Sequence, residues 1–80
     1  MFYVYYLRSL TDFTKTYVGF THDVQQRLGE HNIGKSIYTS QFRPWALIAY
    51  FAFDQEGKAR IFEKYLKNNA GKIFLKRHAE

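Results

Sequence analysis

The stretch TYVGFTHDVQQRLGEHNIG, Thr16 to Gly34, opens like a strand and closes like a helix. In the helical half, Val24, Arg27, Leu28 and His31 fall at i, i+3, i+4 and i+7. Those positions form the stripe that a surface helix turns toward its core. Arginine and histidine stand where aliphatic side chains are expected. Thr21 or Asp23 can cap the helix, because either side chain accepts from free backbone N–H groups. Gly34 suits the left-handed residue that closes a helix. The spacing therefore predicts a helix over Asp23 to Asn32, with a polar inner stripe.

Upstream, Phe2 to Arg8 (FYVYYLR) is aromatic and β-branched, and reads as a strand. Ser9 to Lys15 is a polar connection, so Thr16 to Phe20 forms the second strand of a hairpin. Downstream, Lys35 to Trp45 reads as a polar loop, with Pro44 opposing helix. Ala46 to Phe53 is a strand with apolar residues on both faces. Asp54 is the expected cap of a second helix, Gln55 to Lys67. Gly71 is expected to separate that helix from a last one, Lys72 to Arg77. The order is β-β-α-β-α-α, which predicts an α+β domain: a three-stranded antiparallel sheet flanked by helices.

The chain has 80 residues, enough for one domain and not two, so residues 1–80 are taken as one unit. Hydrophobic residues make up 46% and aromatic residues 20%, which supplies a compact core without staples. The absence of cysteine excludes disulfides and thiolate metal sites. No signal peptide is recognisable at the start, and the longest apolar run, Trp45 to Phe53, is too short for a bilayer. A soluble, cytoplasmic protein is expected, without membrane partners. The net charge of +5 is uneven: from Lys58 to Arg77, Glu63 is the one acid among seven cations. Such a cluster attracts polyanions, or simply solvates a helix face.

The second helix repeats the anomaly of the first. Ala59, Phe62, Glu63 and Leu66 share one stripe, so an acid sits among apolar residues. A buried Arg27–Glu63 salt bridge is one explanation. The other is a polar cleft, in which the guanidinium takes a phosphate and the carboxylate holds a metal. Strand alternation puts Tyr5 and Tyr17 on one face in the expected hairpin register, with Gly19 leaving space beside them.

These residues resemble the GIY-YIG nucleases. Tyr3-Val4-Tyr5 and Tyr17-Val18-Gly19 are similar to the paired signature, with Tyr3 in place of the first glycine and valines in place of both isoleucines. The segment Thr21 to Gly34 is similar to the family's helix with an essential arginine, here Arg27, and a histidine one turn later, here His31. Arg43-Pro44-Trp45 and Glu63 to Lys67 (EKYLK) resemble its small, single-domain bacterial branch.

The resemblance implies metal-dependent cleavage of DNA phosphodiesters. It assigns Glu63 to a Mg²⁺ or Mn²⁺ ion held weakly without DNA, and Arg27 to the scissile phosphate. Tyr5 or Tyr17 would face the attacking water, and His31 would assist proton transfer or orient a water. Lys35, Arg43, Lys64 and Lys67 are the cations expected along the DNA, duplex, branched or single-stranded. A role in DNA repair or processing is implied, alone or docked on a larger repair complex. The alternative is a non-catalytic nucleic-acid-binding module of the same fold, using basic C-terminal helices and exposed aromatics such as Tyr38 and Trp45. An asparagine near the end of the nuclease fold also serves some members; Asn68 and Asn69 stand in that region.

Overall fold

The computed structural model describes every residue, Met1 to Glu80. Three strands, β1 (Phe2–Ser9), β2 (Thr16–Thr21) and β3 (Trp45–Phe53), are combined with four helices, two between β2 and β3 and two after β3. These are α1 (Val24–Asn32), α2 (Ile37–Ser40), α3 (Glu56–Leu66) and α4 (Asn69–His78). The sheet is antiparallel throughout, in the order β2-β1-β3. The architecture is the α+β arrangement that the sequence predicts.

The central strand builds two cores, because successive side chains of a strand point to opposite faces. Val4 and Tyr6 pack with Ala59 and Leu66 of α3 and Leu75 of α4, joined by Phe51, Phe62 and Phe74. Tyr5 and Leu7 face the other way, against Trp45, with Val24 and Leu28 of α1 and Phe42 around them. Each fully buried aliphatic side chain contributes roughly 1.5–3 kcal/mol relative to exposure. Helix α1 thus covers one face, while α3 and α4 cover the other. A bulge in β3 shifts the β1–β3 register between Tyr6 and Leu7: Tyr6 pairs with Ala49 and Leu7 with Leu47, so Ile48 has no partner.

Local chemistry explains where the elements begin and end. Asp23 caps α1, its side chain accepting from Gln26 N–H at 3.0 Å, while Thr21 Oγ1 accepts from Asp23 N–H. Gly34 closes the segment at φ +87°, a left-handed conformation that glycine tolerates.

Three expectations need correction. The polar stretch Lys35 to Trp45 contains the one-turn helix α2. Pro44 lies beyond its end and so does not oppose it. Asp54 does not cap α3; Gln55 holds that position, and its side chain makes no capping bond. Gly71 does not separate helices but lies inside α4, which starts at Asn69 because the Asn68 side chain accepts from Gly71 N–H at 3.0 Å. The glycine serves packing instead. A Cβ there would overlap the Tyr65 carbonyl and Leu66 Cα at the close α3–α4 junction. No helix is long and apolar enough to cross a membrane.

Candidate active site

The register sets the first two groups. Tyr5 lies opposite Gly19 and Leu7 opposite Tyr17, so Tyr5 and Tyr17 share a face of the sheet, with ring centroids 6.2 Å apart. Gly19 is required there, since a Cβ would collide with the Tyr5 hydroxyl and ring. The space that glycine leaves is filled by Tyr5 itself and not by a ligand. Tyr5 therefore projects its hydroxyl across β2, an edge strand.

Helix α1 brings the next two. His31 is fully buried. Its Nε2 meets the Tyr5 hydroxyl at 2.9 Å, and its ring stands edge-on to Tyr17 at 4.9 Å between centroids. Its Nδ1 meets Thr39 Oγ1 of α2 at 2.7 Å, and Thr39 is also fully buried. Trp45 completes the wall, donating from its indole N–H to the Thr39 carbonyl at 2.8 Å. Trp45 is therefore a core residue, only 2% exposed, and not the exposed aromatic expected of a binding surface. Tyr38 is exposed, its ring tilted against that of Tyr17 with centroids 6.3 Å apart.

Arg27 is one-third exposed, and its Nη1 donates to Glu30 at 2.8 Å. Its guanidinium also stands by the Tyr5 hydroxyl and favours the phenolate. Burial outweighs that pull, and with the charges of Tyr17 and Glu63 it pushes the Tyr5 pKa up to about 12. Burial, aided by the Arg27 charge and opposed by Glu30, holds the His31 pKa below its ordinary value. The hydrogen bond from Arg27 lowers the Glu30 carboxyl below the usual range. Tyr5 and His31 are both neutral near pH 7.

Glu63 stands apart from this cluster. It lies on α3, against the opposite face of the sheet, and Tyr5 feels its charge as the weakest of five influences. Its carboxylate engages Lys67 at 3.0 Å and Arg60 at 3.8 Å. Arg60 in turn stacks on Phe20 of β2, 3.7 Å from the ring centroid. This excludes the buried Arg27–Glu63 salt bridge, since each residue pairs within its own helix.

No three His, Cys, Asp or Glu side chains gather as a metal-ligand cluster. A lone carboxylate still fits a hard cation that keeps several waters and takes phosphate oxygens from its substrate. Of the remaining expected cations, Lys35 pairs loosely with Glu30 at 3.7 Å, while Arg43 and Lys64 are exposed. A cavity of about 570 Å³ lies on the α3–α4 side among Arg8, Phe13, Lys72 and Lys76 and holds none of the cluster. Asn68 serves as the α4 cap.

Two residues of the site escaped the sequence argument. Glu30 sits three residues after Arg27, a helical pairing distance that the pattern already displays. Thr39 carries no such signal, because it depends on a turn of helix inside an expected loop.

Titration of the cluster should show in stability. The unfolded chain takes up a proton at the reference histidine value of 6.5, whereas folded His31 resists it. The unfolded state then binds more protons, so stability falls as pH drops below that value and levels off beneath the folded pKa. At the alkaline end, Tyr5 loses its proton later in the folded state, so stability falls between pH 10 and about 12. Melting temperatures from pH 5 to 8 check the acid limb, and His31→Gln should flatten it. An unchanged slope in that variant would assign the limb to other groups.

The GIY-YIG catalytic domain matches residues 1–77 of this chain. Among curated proteins, none matches the sequence.

Proposed function

Since the chain belongs to the GIY-YIG family, whose members are generally endonucleases that use divalent metal ions, we propose that it is a metal-dependent endonuclease cleaving DNA phosphodiesters in repair or processing. The observation that carries this reading is the meeting of Arg27, Tyr5, Tyr17 and His31 on one face of a sheet, next to its edge strand β2. A guanidinium beside neutral hydroxyls suits a phosphate that gains charge during hydrolysis.

Arg27 clamps the scissile phosphate, and Glu30 keeps its side chain extended along α1. Tyr17, half-buried at the rim, faces the attacking water. Tyr5 is too reluctant to lose its proton at neutral pH to act as base, so it contributes as a neutral hydroxyl. Glu63 is the carboxylate to hold Mg²⁺ or Mn²⁺, once DNA arrives to displace Lys67 and Arg60. Bound there, the ion would neutralise charge on phosphate oxygens. Lys35, Arg43, Lys64 and Lys67 supply contacts to flanking phosphates, and cytoplasmic DNA is the natural partner.

Supercoiled plasmid incubated with Mg²⁺ or Mn²⁺ should be nicked, and a chelator should stop the reaction. Binding measured in the presence of chelator should weaken roughly in proportion to the salt raised to the number of phosphates neutralised. The occupied Glu63 carboxylate favours a second reading, a DNA-binding module without catalysis. Salt-sensitive binding with no nicking in either metal would select it.

A further inference from the structure

A second polar group surrounds the cavity on the other side of the sheet, where β1 and β2 meet the last two helices. Tyr6, Val18, Leu66 and Leu75 give it an apolar floor. Its volume of about 570 Å³ is that of a small-ligand pocket. Glu80 folds back toward it after α4, its N–H donating to the Leu75 carbonyl at 3.2 Å. Glu80 Oε1 then accepts from Arg8 Nη2, and Oε2 accepts from the Tyr6 hydroxyl at 2.7 Å. Arg8 and Tyr6 thus form a cradle that already holds an anion, the protein's own carboxylate.

Glu80 fills that cradle incompletely. Nε–H and one Nη2–H point the same way along one edge of a guanidinium, and a well-placed oxyanion takes both. Here Glu80 takes Nη2 alone. Arg8 Nε is buried without an acceptor, which is unfavourable for any donor. Nor do the charges around the cavity balance. Arg8 faces Glu80 and Lys67 faces Glu63, but Lys72 and Lys76 pair with no acid. These two lysines stand one turn apart on α4, where like charges repel, so an anion near both relieves them. A phosphomonoester carries about −1.5 to −2 charge at pH 7 and three acceptor oxygens. It can meet both donors on the Arg8 edge and still face the lysines, which the single charge of a carboxylate does not balance.

We propose that this cavity binds a small phosphomonoester with an apolar body, and that the Glu80 carboxylate occupies its anion cradle until the ligand displaces it. The phosphate takes Arg8 and Tyr6, flanked by Lys72 and Lys76. The apolar body lies on Val18, Leu66 and Leu75. None of Arg27, Tyr5, Tyr17, His31 or Glu63 lines the cavity, so the site does not depend on the nuclease reading.

Phenyl phosphate is the probe. Titrated into ¹⁵N-labelled protein, it should saturably shift the Arg8 Nε–H resonance and the amides of Val18, Lys72 and Leu75, and leave those of Arg27 and His31 in place. Shifts that do not saturate, or that centre on Arg27, overturn the proposal. Inorganic phosphate lacks the apolar body and benzoate lacks the phosphate head. Each should bind about tenfold more weakly, and parity of either with phenyl phosphate overturns the assigned ligand class. Glu80→Gln removes the competing charge and should tighten binding about tenfold, whereas an unchanged affinity overturns the displacement. Arg8→Lys keeps the charge, loses the fork and should weaken binding by a similar factor; parental affinity would remove Arg8 from the site. Should Arg8→Lys fail to fold, the parent and Glu80→Gln titrations still decide. A DNA duplex without terminal phosphates is the last arm. Phenyl phosphate that stays bound in its presence supports a separate site, and displacement by the duplex assigns these cations to the DNA surface and overturns the proposal.

Discussion

Arg27→Ala should lower the nicking rate by roughly a hundred- to a thousand-fold, the loss typical of removing one donor aimed at developing charge. Stability should barely move. The side chain is one-third exposed and pairs with Glu30 one turn along the same helix. Pairs of that kind contribute about 0–1 kcal/mol. Arg27→Lys keeps the charge but loses the planar fork, so it should retain much of the DNA binding and little of the rate. Nicking and thermal melting, measured on both variants, separate the possibilities. Parental activity in Arg27→Ala would remove the residue from the mechanism. A fall in melting temperature that matches the lost activity would make it structural.

Glu63→Gln should be the second large loss, again by orders of magnitude in rate. The substitution keeps the shape and removes the charge on which a divalent ion depends. Lys67 and Arg60, its partners, are each more than half exposed, so releasing them should cost under about 1 kcal/mol. A buried Arg27–Glu63 pair would have predicted a cost of about 3–5 kcal/mol for the same change. The freed cations leave DNA binding intact or slightly tighter. Raising the Mn²⁺ concentration should recover part of the activity, since one ligand among several has been weakened. An unaffected rate would show that the metal, if required, is held elsewhere.

The inner stripe of α1 was legible because helical spacing is strict: Arg27 and His31 could face the sheet or break the amphipathic pattern, and they face it. The common face of Tyr5 and Tyr17 followed as directly from strand alternation and hairpin parity. The failures are local contests between weak signals. Two neighbouring polar residues, Asp54 and Gln55, competed to precede α3, and no side-chain bond decided the outcome. Gly71 carries a helix-breaking propensity that Asn68 capping and the fit against Tyr65 override. Helix α2 is four residues long, too short for any period to be visible. Thr39 was hidden with it. The separation of Glu63 from Arg27 was invisible for another reason: each stripe states that its residue faces the sheet, but not which side of the sheet its helix covers.

The alternation of β1 has a consequence for how the chain can vary in length. Val4 and Tyr6 are fastened to one core, and Tyr5 and Leu7 to the other, so neither side of the strand is idle. One added or deleted residue within it would send Tyr5 under α3 and push Val4 into the cleft, ruining both interiors together. The connection from Leu10 to Lys15 has no such double duty: Leu10, Thr11, Phe13 and Thr14 are exposed. Insertions and deletions can accumulate in that loop, while β1 acts as a ruler whose count is fixed from both faces.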